Sequence, residues 1–203
     1  MLRWRWVEVS GGFLLVLAML YYWDGQGILI WALAACGVHE LGHWAAIRLL
    51  GGRVTLLRLT CVGAEMRLSA RYPLSWGRQL LAALAGPAVS LLTAWAAARM
   101  AGGREALFLF AGLNLALGLF NLLPAAALDG GRILWYAAAL MHSEGLAGRM
   151  VRFSTMAGSL FLAACSAVLF VRGTFNLTLI LAALWLSISQ ISPIGPGKRG
   201  KKR

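Results

Sequence analysis

The sequence has little charge, and the charge it has is mostly of one sign. Only 13% of the 203 residues are charged and only 7 are acidic, whereas 60% are hydrophobic and the mean hydropathy is +0.74. About a quarter of the residues of a soluble domain are charged, and a disordered chain is poor in hydrophobic residues. The composition therefore excludes both classes and predicts a protein of the lipid bilayer.

Cysteines are also few. The three present are odd in number, and Cys36 and Cys165 lie inside apolar runs, which excludes a disulfide framework and a zinc knuckle built from CxxC pairs. A net charge of +12 would suggest nucleic acid in a soluble protein. Here the basic residues lie between apolar runs and at the two ends, so we expect the lipid bilayer as their partner and no nucleic acid.

Apolar runs predict an α-helical polytopic membrane protein with about six transmembrane helices. The first run ends in aromatic residues and not in a signal-peptide cleavage site, so we expect it to be retained. We also expect one six-span domain over residues 1–192 and a flexible basic cytoplasmic tail over residues 193–203. The predicted spans are approximately Val9–Trp23, Gly27–Leu50, Arg78–Met100, Ala106–Leu123, Phe153–Val171 and Phe175–Ile191.

The distribution of Lys and Arg predicts the orientation of these spans. With a cytoplasmic N-terminus, only Arg99, Arg104 and Arg172 of the 19 basic residues lie outside. Basic residues concentrate on the cytoplasmic side of membrane proteins, so we expect both termini in the cytoplasm.

The segment Gly52–Leu68, between the second and third spans, does not have a helical pattern. Polar and apolar residues alternate at its two ends, and Val62-Gly63 is a candidate turn between them. This pattern predicts a small membrane-associated β-hairpin, with an ordinary cytoplasmic loop as the alternative.

Two of the three histidines stand in the run His39-Glu40-Leu41-Gly42-His43 of the second span. Residues i and i+4 share one face of a helix, so both imidazoles can bind one Zn²⁺ while Glu40 serves as general base. Ionisable groups inside a membrane helix are costly and usually functional. The run predicts a hydrolytic zinc site, and the alternative is a buried polar cluster that ties helices together.

The third ligand of such a site has two candidates among the carboxylates. A metzincin would have a histidine where this chain has Leu49. Glu65 would suit a thermolysin-like site, whereas Asp129 follows a break at Pro124 and precedes the flexible pair Gly130-Gly131. An Asp in that position is also typical of a helix cap, so the residues alone leave the choice open.

These motifs together resemble the site-2 protease family of intramembrane zinc metalloproteases, which cut within or near membrane helices. The six-span layout is most similar to the bacterial branch that contains stage IV sporulation protein FB, which processes pro-sigma-K. That branch commonly has a CBS domain after its last span; none follows here, so we expect no nucleotide sensing of that kind. The matching motifs are His39–His43, Ala85-Gly86-Pro87 and Asn121-Leu-Leu-Pro124 with Leu128-Asp129-Gly130, within Gly27–Arg132.

The resemblance implies one Zn²⁺ per chain, bound by His39, His43 and Asp129, with Glu40 as the catalytic residue that activates water. It implies a catalytic core of about residues 27–132 in a bacterial cell membrane, with the active site towards the cytoplasmic side. The expected substrate is a membrane-associated precursor protein, for example a pro-sigma factor in sporulation. Membrane inhibitor proteins are further possible partners.

The resemblance also implies that Asn121 and Pro124 contribute to substrate binding. One departure is that the family often has a proline just before Leu-Asp-Gly, where this chain has Ala126-Ala127. A looser backbone is therefore expected at that point.

A non-enzymatic membrane metal carrier, or a chaperone-like membrane partner, is the alternative function. A carrier usually has ionisable residues spaced along a route across the bilayer, whereas here they gather near one level. Glu40, which a carrier would not need, favours the protease. The sequence indicates no oligomeric state.

Overall fold

The computed structural model describes residues 2–4, 6–60, 63–173 and 177–189. The predicted tail, residues 193–203, lies outside these ranges. The described residues form two compact units, Met1–Leu119 and Phe120–Arg203. The helices are α1 (Gly11–Trp23), α2 (Ile28–Leu49), α3 (Trp76–Met100), α4 (Glu105–Asn121), α5 (Asp129–Met141), α6 (Glu144–Val171) and α7 (Leu177–Ser189). The strands are β1 (Leu2–Trp4), β2 (Val7–Val9), β3 (Val54–Thr60) and β4 (Gly63–Leu68).

Three of the helices, α2, α3 and α6, are long and apolar enough to cross a membrane. They confirm the helical membrane character that the composition predicts. Helices α1, α4 and α7 have 13, 17 and 13 residues. At about 1.5 Å per residue they are shorter than the roughly 30 Å of a bilayer core. They coincide with the first, fourth and sixth predicted spans, and the total of six spans stays a prediction.

Helices α2 and α3 of the first unit pack closely because each has a glycine at their contact. A Cβ atom on Gly42 would lie 2.9 Å from the carbonyl oxygen of Ala85 and 3.0 Å from the Cβ atom of Val89. Membrane helices associate largely through such close backbone contacts, since lipid tails are as apolar as the side chains between helices. Small residues therefore bring α2 and α3 into direct contact.

The predicted hairpin is confirmed as the antiparallel pair β3 and β4, although Val62 of the predicted turn is outside the described residues. It belongs to a four-stranded sheet of order β1-β2-β3-β4, in which β2 pairs in parallel with β3. The pair Glu8 and Arg58 stands in register across these strands, with hydrogen bonds of 3.1 and 3.3 Å from the guanidinium to the carboxylate. These bonds raise the pKa of Arg58 above its ordinary value.

The second unit contains α5, α6 and α7. The sequence predicted one cytoplasmic segment between the fourth and fifth spans, but α5 lies there, and α6 begins at Glu144 and not at Phe153. The first turns of α6 are amphipathic: Ala147 and Val151 are fully buried while Arg149 and Arg152 are exposed. Hydropathy alone misses such a segment because the two arginines offset its apolar face.

Candidate metal centre

The run His39–His43 lies in the middle of α2, as its sequence predicted. His39 is the twelfth of 22 residues, about 17 Å along a helix of about 33 Å. His39 and His43 lie one turn apart on the buried face, with exposed fractions of 4% and 8%. Glu40, between them in sequence, is half-buried. Two imidazoles and a carboxylate therefore stand together at mid-helix, far from either end of α2.

Both imidazoles are held through their Nδ1 atoms by α3. The Nδ1 atom of His43 lies 2.8 Å from the carbonyl oxygen of Ala82. Because a carbonyl only accepts, this Nδ1 is the donor, and in the neutral imidazole Nε2 then carries the lone pair. The Nδ1 atom of His39 lies 3.0 Å from the hydroxyl of Ser90, which is fully buried. The two Nε2 atoms consequently face each other at 3.1 Å.

Gly86 leaves room for this arrangement. A Cβ atom there would overlap the Nε2, Cε1 and Cδ2 atoms of His43, so the ring lies against the backbone of α3. Residues 82, 86 and 90 are spaced by four and share one face of α3. One helix face therefore supplies a carbonyl, a gap and a hydroxyl to the two histidines of α2.

Asp129 is the first residue of α5 and is 6% exposed. A carboxylate at a helix N-terminus is favoured by the helix dipole. Its Oδ1 atom lies 3.6 Å from the Nη1 atom of Arg132, whose side chain is mostly exposed. Leu128, and not Asp129, is the N-cap residue, so the reading of Asp129 as a helix cap does not hold.

Gly130 and Gly131 allow the chain before Asp129 to fold directly over the first turn of α5. A Cβ atom on Gly130 would overlap the carbonyl oxygens of Leu122 and Leu123, and one on Gly131 would overlap that of Ala125. The sequence suggested that this pair permits an unusual backbone conformation. Neither glycine has a positive φ, so the pair is needed for close approach instead.

His39 and His43 belong to the first unit and Asp129 to the second, and the motif resemblance makes the three candidate ligands of one metal. Two imidazole nitrogens and one carboxylate form a ligand set of catalytic zinc sites, in which a fourth position takes water. With bonds of about 2.0–2.1 Å, tetrahedral zinc holds two nitrogens about 3.3 Å apart. The 3.1 Å between the Nε2 atoms is close to this value, so the two histidines fit a zinc ion.

Three further residues were candidates for the site: Glu65, Asn121 and Pro124. Glu65 is in β4, half-exposed, with its Oε1 atom 3.7 Å from Nε of Arg67. Asn121 is the half-buried last residue of α4, and Pro124 is exposed in the segment that follows. The helix break expected near these two residues is present, since α5 starts only at Asp129.

Ser90 and Ala82 are not among the candidate residues that the sequence motifs indicate. A signal for Ser90 was available, because a serine one turn after Gly86 is a polar residue on the same face of an apolar span. For Ala82 there was none, since its contribution comes from the main chain.

Parts of this chain are similar to known proteins. Residues 97–165 match the model of a family described as peptidase family M50; this range contains Asp129 but not the histidines. A candidate zinc metalloprotease of Mycobacterium tuberculosis, Rip3, is 36% identical over 129 residues, which are 58% of this chain and 32% of the relative. A candidate zinc metalloprotease of Synechocystis, sll0528, is 31% identical over 138 residues, 64% of this chain and 34% of the relative.

The chain thus spans about a third of the length of the curated relatives that it matches. Its fold is similar to that of a solved site-2 protease from Methanocaldococcus jannaschii, with a TM-score of 0.68 at 21% identity over 94% of this chain and 92% of that one. A part of this chain is therefore similar to peptidase family M50 and to candidate zinc metalloproteases, and its fold is similar to that of a site-2 protease.

Proposed function

We propose that this protein is an intramembrane zinc endopeptidase that cleaves a peptide bond within or next to a membrane segment of a precursor protein. The observation that carries the proposal is the pair of imidazoles of His39 and His43, whose Nε2 atoms lie 3.1 Å apart in a helix long enough to cross a membrane. Asp129 is the proposed third ligand. A half-buried carboxylate, Glu40, stands next to His39 in that helix. Metal ligands beside a candidate base are the parts that a hydrolytic site needs.

When bound, zinc supplies the Lewis acidity that makes water a nucleophile near neutral pH and polarises the substrate carbonyl. In the proposed reaction Glu40 accepts the proton of the attacking water. It then donates a proton to the amine nitrogen that leaves, as a general base turned acid. Ala82 and Ser90 keep the two imidazoles in the orientation that turns Nε2 to the metal. Asn121 is proposed to donate a hydrogen bond to the substrate strand or to its oxyanion.

The sheet offers a way to present the substrate. A peptide bond inside a helix is protected by its own hydrogen bonds, so the substrate has to unwind locally before it is cut. Because β3 lies between β2 and β4, the hairpin edge to which an extended substrate can add is that of β4. Main-chain pairing with β4 would hold the substrate extended, as in other β-augmentation complexes.

The orientation and the substrate class are part of the proposal. The 16 basic residues on one side of the predicted spans support cytoplasmic termini and an active site towards the cytoplasm. A membrane-tethered regulator precursor, such as the pro-sigma factor of the sporulation branch, is the proposed substrate, supported by the motif resemblance alone. Membrane inhibitor proteins are proposed on the same ground.

Replacement of Glu40 tests the protease against the metal carrier. The test uses the purified full chain, co-reconstituted with candidate single-span precursors in lipid vesicles. We expect Glu40→Gln to keep its zinc and to lose cleavage by about 10²–10⁴-fold, the usual contribution of a general base. The matched control is Glu144→Gln, which changes an exposed carboxylate outside the hairpin in the same way and should cleave normally. Undiminished cleavage by Glu40→Gln would exclude this mechanism.

A further inference from the structure

Two adjacent hydroxyl residues of α6, Ser154 and Thr155, contact the segment 122–128 that leads to Asp129. We propose that they are positioning residues of the metal centre: they fix this segment to α6 and so hold Asp129 where it can bind the metal. The proposal rests on the proposed function, because it assigns Asp129 the role of third ligand. Neither residue belongs to the motifs that the sequence singled out.

The contacts fall on both sides of Ala125. The Ser154 hydroxyl donates to the carbonyl oxygen of Pro124 at 2.6 Å. The Thr155 hydroxyl accepts from the backbone N–H of Ala126 at 2.9 Å and donates to the carbonyl oxygen of Val151 at 2.6 Å. Thr155 is fully buried, so the hydrogen bond to Ala126 is protected from water.

These hydrogen bonds provide partners for polar backbone groups of the segment. Residues 122–128 form neither helix nor strand, and irregular backbone in an apolar environment requires partners for its polar groups. The α6 hydroxyls supply one donor and one acceptor. Apolar packing adds to this, since Ala125 and Leu128 are buried together with Leu186 of α7.

The position of Asp129 depends on this segment because they are close in the chain and in backbone contact. Ala126 precedes Asp129 by only three residues. The backbone of Leu122, Leu123 and Ala125 lies so close to Gly130 and Gly131 that no methyl group fits between them. A displacement of the segment therefore displaces the start of α5 and the carboxylate at its first position.

The same contacts bear on the expectation of a looser backbone at Ala126-Ala127. Here hydrogen bonds from α6 restrain the chain that a proline ring would otherwise stiffen. The restraint comes from outside the segment, so it can be removed without changing any residue between Pro124 and Asp129.

Thr155→Val removes the hydroxyl and keeps the shape of the side chain, whereas Thr155→Ser keeps the hydroxyl. We would measure zinc affinity of each purified full-length variant by competition with a chromophoric chelator, and hydrogen exchange of the peptide that covers residues 122–131. We expect Thr155→Val to weaken zinc binding by roughly tenfold, the lower range for loss of an outer hydrogen bond at a metal site, and to speed exchange at Ala126. Thr155→Ser should stay within about twofold of wild type.

Ser159→Ala is the matched control on the same helix. Ser159 is also buried and hydrogen-bonded, but to Ala183 and Ser187 of α7, so its loss should leave zinc affinity near wild type. Ser154→Ala serves as a second, milder variant if Thr155→Val does not fold, and it should weaken zinc binding in the same direction.

The outcomes separate the two proposals. Wild-type zinc affinity in both Thr155→Val and Ser154→Ala would overturn the positioning role and leave the protease proposal intact. Equal losses in Thr155→Val, Thr155→Ser and Ser159→Ala would also overturn it, because they would indicate general damage to α6. A wild-type protein that binds no zinc would instead overturn the proposed function on which this inference rests.

Discussion

Gly86 of α3 lies directly against the imidazole of His43, so closely that a methyl group on Gly86 would overlap the Nε2 atom of the ring. The contact explains why a glycine stands in the Ala85-Gly86-Pro87 motif. We therefore expect even one added methyl group at position 86 to disturb the candidate metal centre.

We predict that Gly86→Ala abolishes zinc binding, because the added methyl group forces His43 away from His39. Alanine is the better helix former by roughly 0.5–1 kcal/mol, so helix propensity cannot account for a loss. The measurement is zinc per purified chain. Gly37→Ala in α2 is the control, since a Cβ atom there meets nothing within 4 Å, and it should retain full zinc. A zinc-replete Gly86→Ala protein would contradict the packing described for His43.

A second prediction concerns Ser90, whose buried hydroxyl faces Nδ1 of His39. Ser90→Ala leaves that nitrogen without its partner, and we expect zinc affinity to fall by about 10–100-fold, as for other outer partners of metal-bound histidines. Competition with a chelator measures it. Ser166→Ala, which changes another buried serine of an apolar helix, should have no such effect; similar losses in both would indicate nonspecific destabilisation.

The third ligand can be identified with two carboxylate variants. Asp129→Ala should lower the zinc content and abolish cleavage, because a catalytic zinc needs three protein ligands besides its water. Glu65→Ala removes only an exposed ion pair with Arg67, worth about 1 kcal/mol or less, and should keep zinc near wild type. Metal analysis of the two purified proteins decides between them. Zinc lost with Glu65 and kept without Asp129 would indicate a thermolysin-like ligand set.

The orientation of the spans is open to a direct test with reporter fusions. Fusions after Gln26 and after Gly103 should report the outside, and fusions after Arg71 and at Arg203 the cytoplasm, since basic residues concentrate on the cytoplasmic side. A cytoplasmic signal at Gln26 would reverse the assignment and place the active site towards the other face.

The histidine pair of the candidate metal centre could be predicted from the sequence, because its side chains carry the pattern. His39 and His43 have helical spacing inside an apolar run, and a hairpin between two spans has a pattern of alternation; the structure contains both elements. Asp129 could be proposed only as one of two carboxylates, because its position depends on how the chain folds back after α4.

Other features had no signal in the sequence. Strands β1 and β2 have three residues each, too few to display a period of two; β2 pairs with β3, and β1 pairs with β2. Helix α5 begins with Asp129-Gly130-Gly131, and glycines are poor helix formers. The close backbone contacts in this turn, which require the glycines, are visible only once the fold is known.

The partner of His43 is a main-chain carbonyl, that of Ala82. Saturation mutagenesis at position 82 therefore exchanges every side chain and leaves this hydrogen bond in place, so a mutational scan would report only the packing cost of larger residues in a buried position. An alignment has the same limit. The residues found at position 82 would reflect the side-chain size that fits there and not the hydrogen bond to the histidine. Chemical replacement of the backbone, such as an ester in place of an amide, is the kind of change that reaches it.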